Sequence, residues 1–162
     1  TDTFWDEKNW RIYRTTEATG GMIQPLINLL KNGPHAIVID NGTITTYNTK
    51  GIATLLQMVN QNTSPLKGAT VVDKVVGKAA AALMILGGVT RLHALLISEG
   101  ALSLLSTTDI KVSYDQQVPY IINRMGTDWC PMEQACQHSL TPEDCLKQIK
   151  NKISQLKWQI PQ

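Results

Sequence analysis

Apolar positions along the chain switch between a helical and a strand period, and the switches predict the elements. Met22, Ile23, Leu26, Ile27, Leu29 and Leu30 form a helical stripe over residues 22–31, which Asn32-Gly33-Pro34 closes. HAIVID at 35–40 reads as a buried strand, Asn41-Gly42 as a two-residue hairpin turn, and the β-branched TITTY at 43–47 as the returning strand. A helix is expected at 51–60 and a loop at 62–68. Residues 70–87 give the clearest helical pattern, with Thr70 and Asp73 spaced as a capping box. RLHALLI at 91–97 is almost continuously apolar, as in a parallel strand covered on both faces. A helix over 98–105, a strand over 110–114 and an edge strand over 118–122 follow, the last placed at an edge because Pro119 cannot donate to a ladder. Two closing helices open at Cys130-Pro131-Met132-Glu133 and at Thr141-Pro142-Glu143-Asp144.

This order predicts a single α/β domain over residues 20–162, built on a mixed sheet of about five strands. The hairpin supplies antiparallel pairing, and the helical crossovers supply parallel pairing with right-handed connections. Residues 1–19 are expected to be a leader, whose Trp5, Trp10 and Tyr13 are available to pack on the body or on a partner.

Composition narrows the function classes. The 162 residues are 43% hydrophobic and 17% charged, which excludes a disordered chain and a coiled coil. Fifteen basic against 13 acidic residues leave a net charge of +2, with no electrostatic footprint for a nucleic-acid polymer and no polybasic membrane anchor. The longest apolar run, 79–86, is far short of the roughly 18 residues that span a bilayer. Cys130, Cys136 and Cys145 are odd in number and confined to the last third, so a reduced, cytoplasmic setting is expected rather than a disulfide framework. The chain has no CxxC pair, P-loop, G-x-G-x-x-G or G-x-S-x-G pattern.

Three stretches carry candidate chemistry. On a helix over 70–87, Asp73, Gly77 and Ala80 share one face and Lys74 and Lys78 another, and the first-turn amides suit an anion such as a nucleotide phosphate. The plainer alternative makes Asp73 a cap and leaves both lysines in solvent. Ser98 and Glu99 sit where a strand runs straight into a helix, the place where open α/β sheets bind ligands. They equally suit an N-cap and a dipole partner. In INRMGTDWCPME, Cys130 takes the N-cap position and Glu133 closes a capping box. A thiol there has its thiolate favoured, and Arg124 adds to this, so Cys130 is a candidate reactive thiol or metal ligand. Its alternative is a small buried apolar residue. His35, His93 and His138 lack ligand spacing and are expected to be structural or exposed.

The blocks VVDKVVGKAAAAL, LLISEGAL and VPYIINR…TDWCPME, with the element order, resemble the domain of unknown function 1893 family over roughly residues 22–136. That family is an uncharacterised, mainly bacterial group assigned to the cytidine-deaminase-like fold. The resemblance implies a three-layer α/β/α domain and, in its active relatives, His-x-Glu or Cys-x-Glu at one helix start and Pro-Cys-x-x-Cys at the next, holding zinc. By topology the first motif falls near Asp73-Lys74-Val75 and the second at Ser98-Glu99-Gly100-Ala101-Leu102, and neither carries the ligands. Cys130-Pro131-Met132-Glu133 echoes the second motif one helix too late.

Residues and resemblance together predict a zinc-free protein that binds a small anionic or nucleotide-like ligand. Asp73, Lys74, Lys78, Ser98 and Glu99 would form the site, completed by Asn123, Arg124, Cys130 and Glu133. One alternative is an atypical metal- or thiol-dependent enzyme using Asp73, Glu99, Cys130 and Glu133. Another is a non-catalytic interaction protein served by the aromatic leader. A homo-oligomer is expected from the resemblance.

Overall fold

The computed structural model describes residues 2–5, 10–14, 22–48, 52–123 and 125–156. In chain order these form β1 (Asp2–Trp5), β2 (Trp10–Arg14), α1 (Gln24–Lys31), β3 (Ile37–Asp40), β4 (Ile44–Tyr47), α2 (Ala53–Val59), β5 (Thr70–Val76) and α3 (Lys78–Gly87). β6 (Arg91–Ser98), α4 (Glu99–Leu105), β7 (Lys111–Val118), α5 (Pro131–Cys136) and α6 (Pro142–Leu156) complete them. The described strands make one mixed sheet in the order β1-β2-β4-β3-β5-β6-β7. Pairing is antiparallel from β1 to β5 and parallel from β5 through β6 to β7.

The stretch 70–87 is not one helix. Thr70, Val71, Val72, Val75 and Val76 put five β-branched side chains into the seven residues of β5. Such side chains lose χ1 freedom in a helix and fit a pleated, buried surface. β5 is therefore an interior strand, flanked by β3 and β6. The helix begins only after Gly77, where the alanines begin. The Thr70–Asp73 capping box accordingly does not exist. Residues 118–122 are not a strand either: β7 runs from Lys111 to Val118, and the chain bends away at Pro119. One predicted strand is thus exchanged for another. Two more come from the expected leader, since β1 and β2 extend the sheet beyond β4. The β3–β4 connection spans residues 41–43 rather than two residues, with Gly42 at φ +99°, a conformation glycine takes without strain.

The sheet separates two cores. On one face α1 lays Leu26, Ile27 and Leu30 on Val38, Ile44 and Val72. On the other, α2 to α6 enclose a larger core containing Leu56, Leu83, Met84, Ile97, Leu105 and Ile149. α3 is the hub of that layer, packed against α2, α4, α5 and α6. Its buried alanines, Ala79 to Ala82, let those neighbours approach closely.

Candidate functional site

The carboxyl end of β5 and the start of α3 form the floor of a cavity of about 600 Å³. Ile52, just before α2, and Leu55 within it close one side, and Ile121–Asn123 with the start of α5 closes another. The walls are mostly apolar, and Asp73 and Lys74 of β5 are among the residues that line them. Pockets for small molecules commonly measure roughly 300–1,000 Å³ and combine such walls with a few convergent polar groups.

Asp73 is placed there by strand register, opposite Ile37 of β3 and Ala94 of β6. Both neighbours are apolar, and burial raises its pKa from 3.8 to about 7 against the opposing pull of the Val75 and Lys74 amides. The group therefore sits near the point where it can be acid or carboxylate at neutral pH.

Glu133 is the second acid of the cavity, and it is already engaged. Its Oε1 accepts the backbone N–H of Lys78 at 2.6 Å, its Oε2 that of Ile121 at 2.8 Å, and the Ser98 hydroxyl donates to Oε1 at 3.4 Å. The carboxylate thus fills the positive end of α3 from another helix and ties α3, β6 and the loop after β7 together. This contact explains Gly77: a Cβ there would lie 2.9 Å from Oε1.

Asp73, Lys74, Asn123, Cys130 and Glu133 line this one cavity, so Cys130 and Asp73 do share a site. Lys78 does not reach it: its amide holds Glu133 and its Nζ lies 3.4 Å from the Gln137 carbonyl. Buried Ser98 caps α4 by accepting from the Ala101 amide at 3.1 Å. Glu99 is exposed on α4, outside the cavity walls. Arg124 lies outside the described residues. The Asn123 side chain fastens its loop, accepting from the Thr127 amide at 3.1 Å and donating to the Thr127 hydroxyl at 3.2 Å.

The capping box expected at α5 is not formed. Cys130 precedes the helix without a side-chain cap bond, because Glu133 is bound to Lys78 and Ile121 instead. The parallel expectation at Thr141 holds, its hydroxyl accepting the Asp144 amide at 3.1 Å. The four-residue metal set is not assembled. Glu99 is outside the cavity, and among the described residues no group of three His, Cys, Asp or Glu is placed to hold a metal ion. His35 bonds Asn48, His93 lies between Ser113 and Asp115, and His138 is exposed. Sequence reasoning missed the apolar walls and the Glu133 clasp, whose partners are 55 residues apart for Lys78. Gly77, between the valines of β5 and Lys78 at the head of the alanine run, is the local sign of a close approach.

Fold and site define a layered α/β protein with a small-molecule-sized cavity at the end of β5. The family model described as a domain of unknown function (DUF1893) matches residues 25–153, and the chain belongs to that family. A solved structure of a DUF1893 family protein from Thermotoga maritima aligns with a TM-score of 0.74 at 23% identity, covering 84% of this chain and 92% of that one. At that identity the likeness establishes the fold. No curated protein matches the chain. Among the described residues no helix is long and apolar enough to cross a membrane.

Proposed function

We propose that the cavity binds a small nucleotide-like molecule, with its base between the apolar walls, a hydrogen-bonding edge on Asp73 and an anionic group toward Lys74. The observation that carries this reading is Asp73 on an otherwise largely apolar wall, its pKa raised to about 7. Burial outweighs the two neighbouring amides that bond the Asp73 carboxyl, and a ligand edge that completes its hydrogen bonds offsets that cost. As a carboxylate it accepts from paired N–H groups. As an acid it donates and accepts at once, matching an amide-like edge. A heterocyclic base offers both kinds of edge on a flat apolar body.

The anionic part is assigned to Lys74 because Lys74 is the one cation among the described cavity residues. The α3 N-terminus, the expected anion site, already holds Glu133. Helices opening directly after β5 and β6 support placement in the cytidine-deaminase-like fold. The first helix start is Gly77-Lys78-Ala79, not Asp73-Lys74-Val75, and like Ser98-Glu99-Gly100 it has no His or Cys. The reading is therefore binding without the standard zinc deamination chemistry. A reducing, cytoplasmic setting completes it, in keeping with three unpaired cysteines.

Calorimetry with free bases, nucleosides and nucleoside monophosphates tests the reading. Lys74→Ala should weaken a monophosphate by about tenfold while leaving the matching nucleoside nearly unchanged, and Asp73→Asn should weaken both. Equal binding by wild type and Asp73→Asn would overturn it.

A second reading is favoured by Cys130 on the same cavity wall as Asp73. It makes Cys130 a nucleophile toward the bound molecule. A Cys130 that reacts with iodoacetamide no faster than free cysteine would remove that reading.

A further inference from the structure

Parallel strands are normally covered on both faces. β7 departs from this. It pairs with β6 from Lys111 opposite Arg91 to Val118 opposite Ser98, ends the sheet of described strands on that side, and is exposed at every position except the half-buried Val112 and Val118. An eight-residue strand with no partner strand on one edge among the described residues presents a row of N–H and C=O groups to another strand.

We infer that β7 pairs antiparallel with β7 of a second copy of this chain, about a twofold axis through Ser113. The order of side chains selects both occupant and register. Ser113 and Asp115 share one face, since His93 lies 2.7 Å from the Ser113 hydroxyl and 3.1 Å from the Asp115 carboxylate. Val112 and Tyr114 alternate onto the other face, where Val112 packs on the larger core and Tyr114 is 42% exposed. Centring the pair on Ser113 sets Lys111 opposite the partner's Asp115 and Val112 opposite the partner's Tyr114, each twice by symmetry. Opposite charges and aromatic–aliphatic pairs are the favourable cross-strand combinations. Centring on Asp115 stacks that carboxylate on itself, and centring on Tyr114 sets Lys111 against Gln117 with no charge pairing. Asp115 already holds Lys31 at 3.1 Å and His93 at 3.1 Å, and a carboxylate with about four acceptor sites has room for a further cation. The pairing joins two sheets into one and leaves the cavity at the end of β5 untouched.

Light scattering on the full chain should give twice the mass of one chain. Lys111→Glu, on the exposed end of β7, should raise the dimer dissociation constant by about tenfold or more. Mixing Lys111→Glu with Asp115→Lys should restore a mixed dimer, because each variant then meets its opposite charge. The register is read separately by Ser113→Cys in a Cys130→Ser background. Residues directly opposite in an antiparallel pair have Cα atoms roughly 4.5–5.5 Å apart, within disulfide reach. Mild oxidation should therefore link Ser113→Cys chains in pairs and leave Gln117→Cys chains unlinked. A monomer at every concentration, a dimer indifferent to Lys111→Glu, or a dimer in which Ser113→Cys does not cross-link would overturn the inference.

Discussion

The Glu133 carboxylate lies 2.6 Å from the backbone nitrogen of Lys78, so the first helical residue after β5 is held by an acid from a different helix. Because Ile121 shares the same carboxylate, Glu133→Ala leaves two backbone donors without their charged acceptor. Hydrogen bonds to charged groups contribute roughly 1.5–3 kcal/mol each, so the variant should lose about 3 kcal/mol or more. Formate or acetate should restore part of that loss by entering the vacated position, whereas chloride should not. Glu133→Gln should cost less, roughly 1–2 kcal/mol, since one oxygen remains. Urea unfolding with and without added carboxylate checks all three outcomes.

The acid on the cavity wall makes stability depend on pH with a defined sign. Folding raises the pKa of Asp73 from 3.8 to about 7, so between those values the folded chain keeps a proton that the unfolded chain has released. Stability should therefore fall as pH rises through this window, by up to roughly 1.4 kcal/mol per unit, and level off above about pH 7. Asp73→Asn should remove this slope and be the more stable protein at pH 8. Unfolding curves at several pH values decide it: an identical slope in the variant would place the effect elsewhere.

The three thiols should separate by reactivity. Cys136 and Cys145 have 0% exposure, whereas Cys130 is half-buried at the cavity wall. A hydrogen bond with Cys145, together with burial, pushes the Cys136 thiol up, and the same bond brings Cys145 down to about 7. Despite that lowered value, lack of access should keep Cys145 silent. A colorimetric disulfide reagent should titrate Cys130 alone in the native protein and the other two only after unfolding. A saturating nucleoside should slow Cys130 further.

Deleting residues 1–19 removes β1 and β2 and uncovers the edge of β4. An uncovered edge strand is a template for aggregation. The truncated protein should unfold at lower temperature and lose monodispersity on size-exclusion chromatography. An unchanged profile would mean that the two strands add nothing to the sheet.

The elements legible in the sequence are those whose local pattern agreed with the tertiary demand. The stripe of α1, the apolar run of β6 and the Thr141 cap of α6 are examples. VVDKVVGKAAAAL was not legible because a β-branched run abuts an alanine run, and short apolar segments read the same way at either period. Placing the break at Gly77 turns Asp73 from a helix cap into a strand residue facing a cavity. Asp73, Lys74, Cys130 and Glu133 could be named individually from the sequence. Their meeting in one cavity depends on where the chain bends after Pro119, and no spacing encodes that. Lys78, expected beside Lys74 on one helical face, instead opens α3 with its amide on Glu133, and Glu99, expected at a strand-to-helix junction, is there but exposed outside the cavity.

Methyl NMR during titration with a nucleoside monophosphate tests the central claim most directly. Ligand in the cavity should shift the Ala79, Ala80 and Ile121 methyls, leave Val38 and Val72 on the opposite core unmoved, and lose saturation in Asp73→Asn. Shifts confined to the opposite face, or unchanged binding in Asp73→Asn, would contradict it.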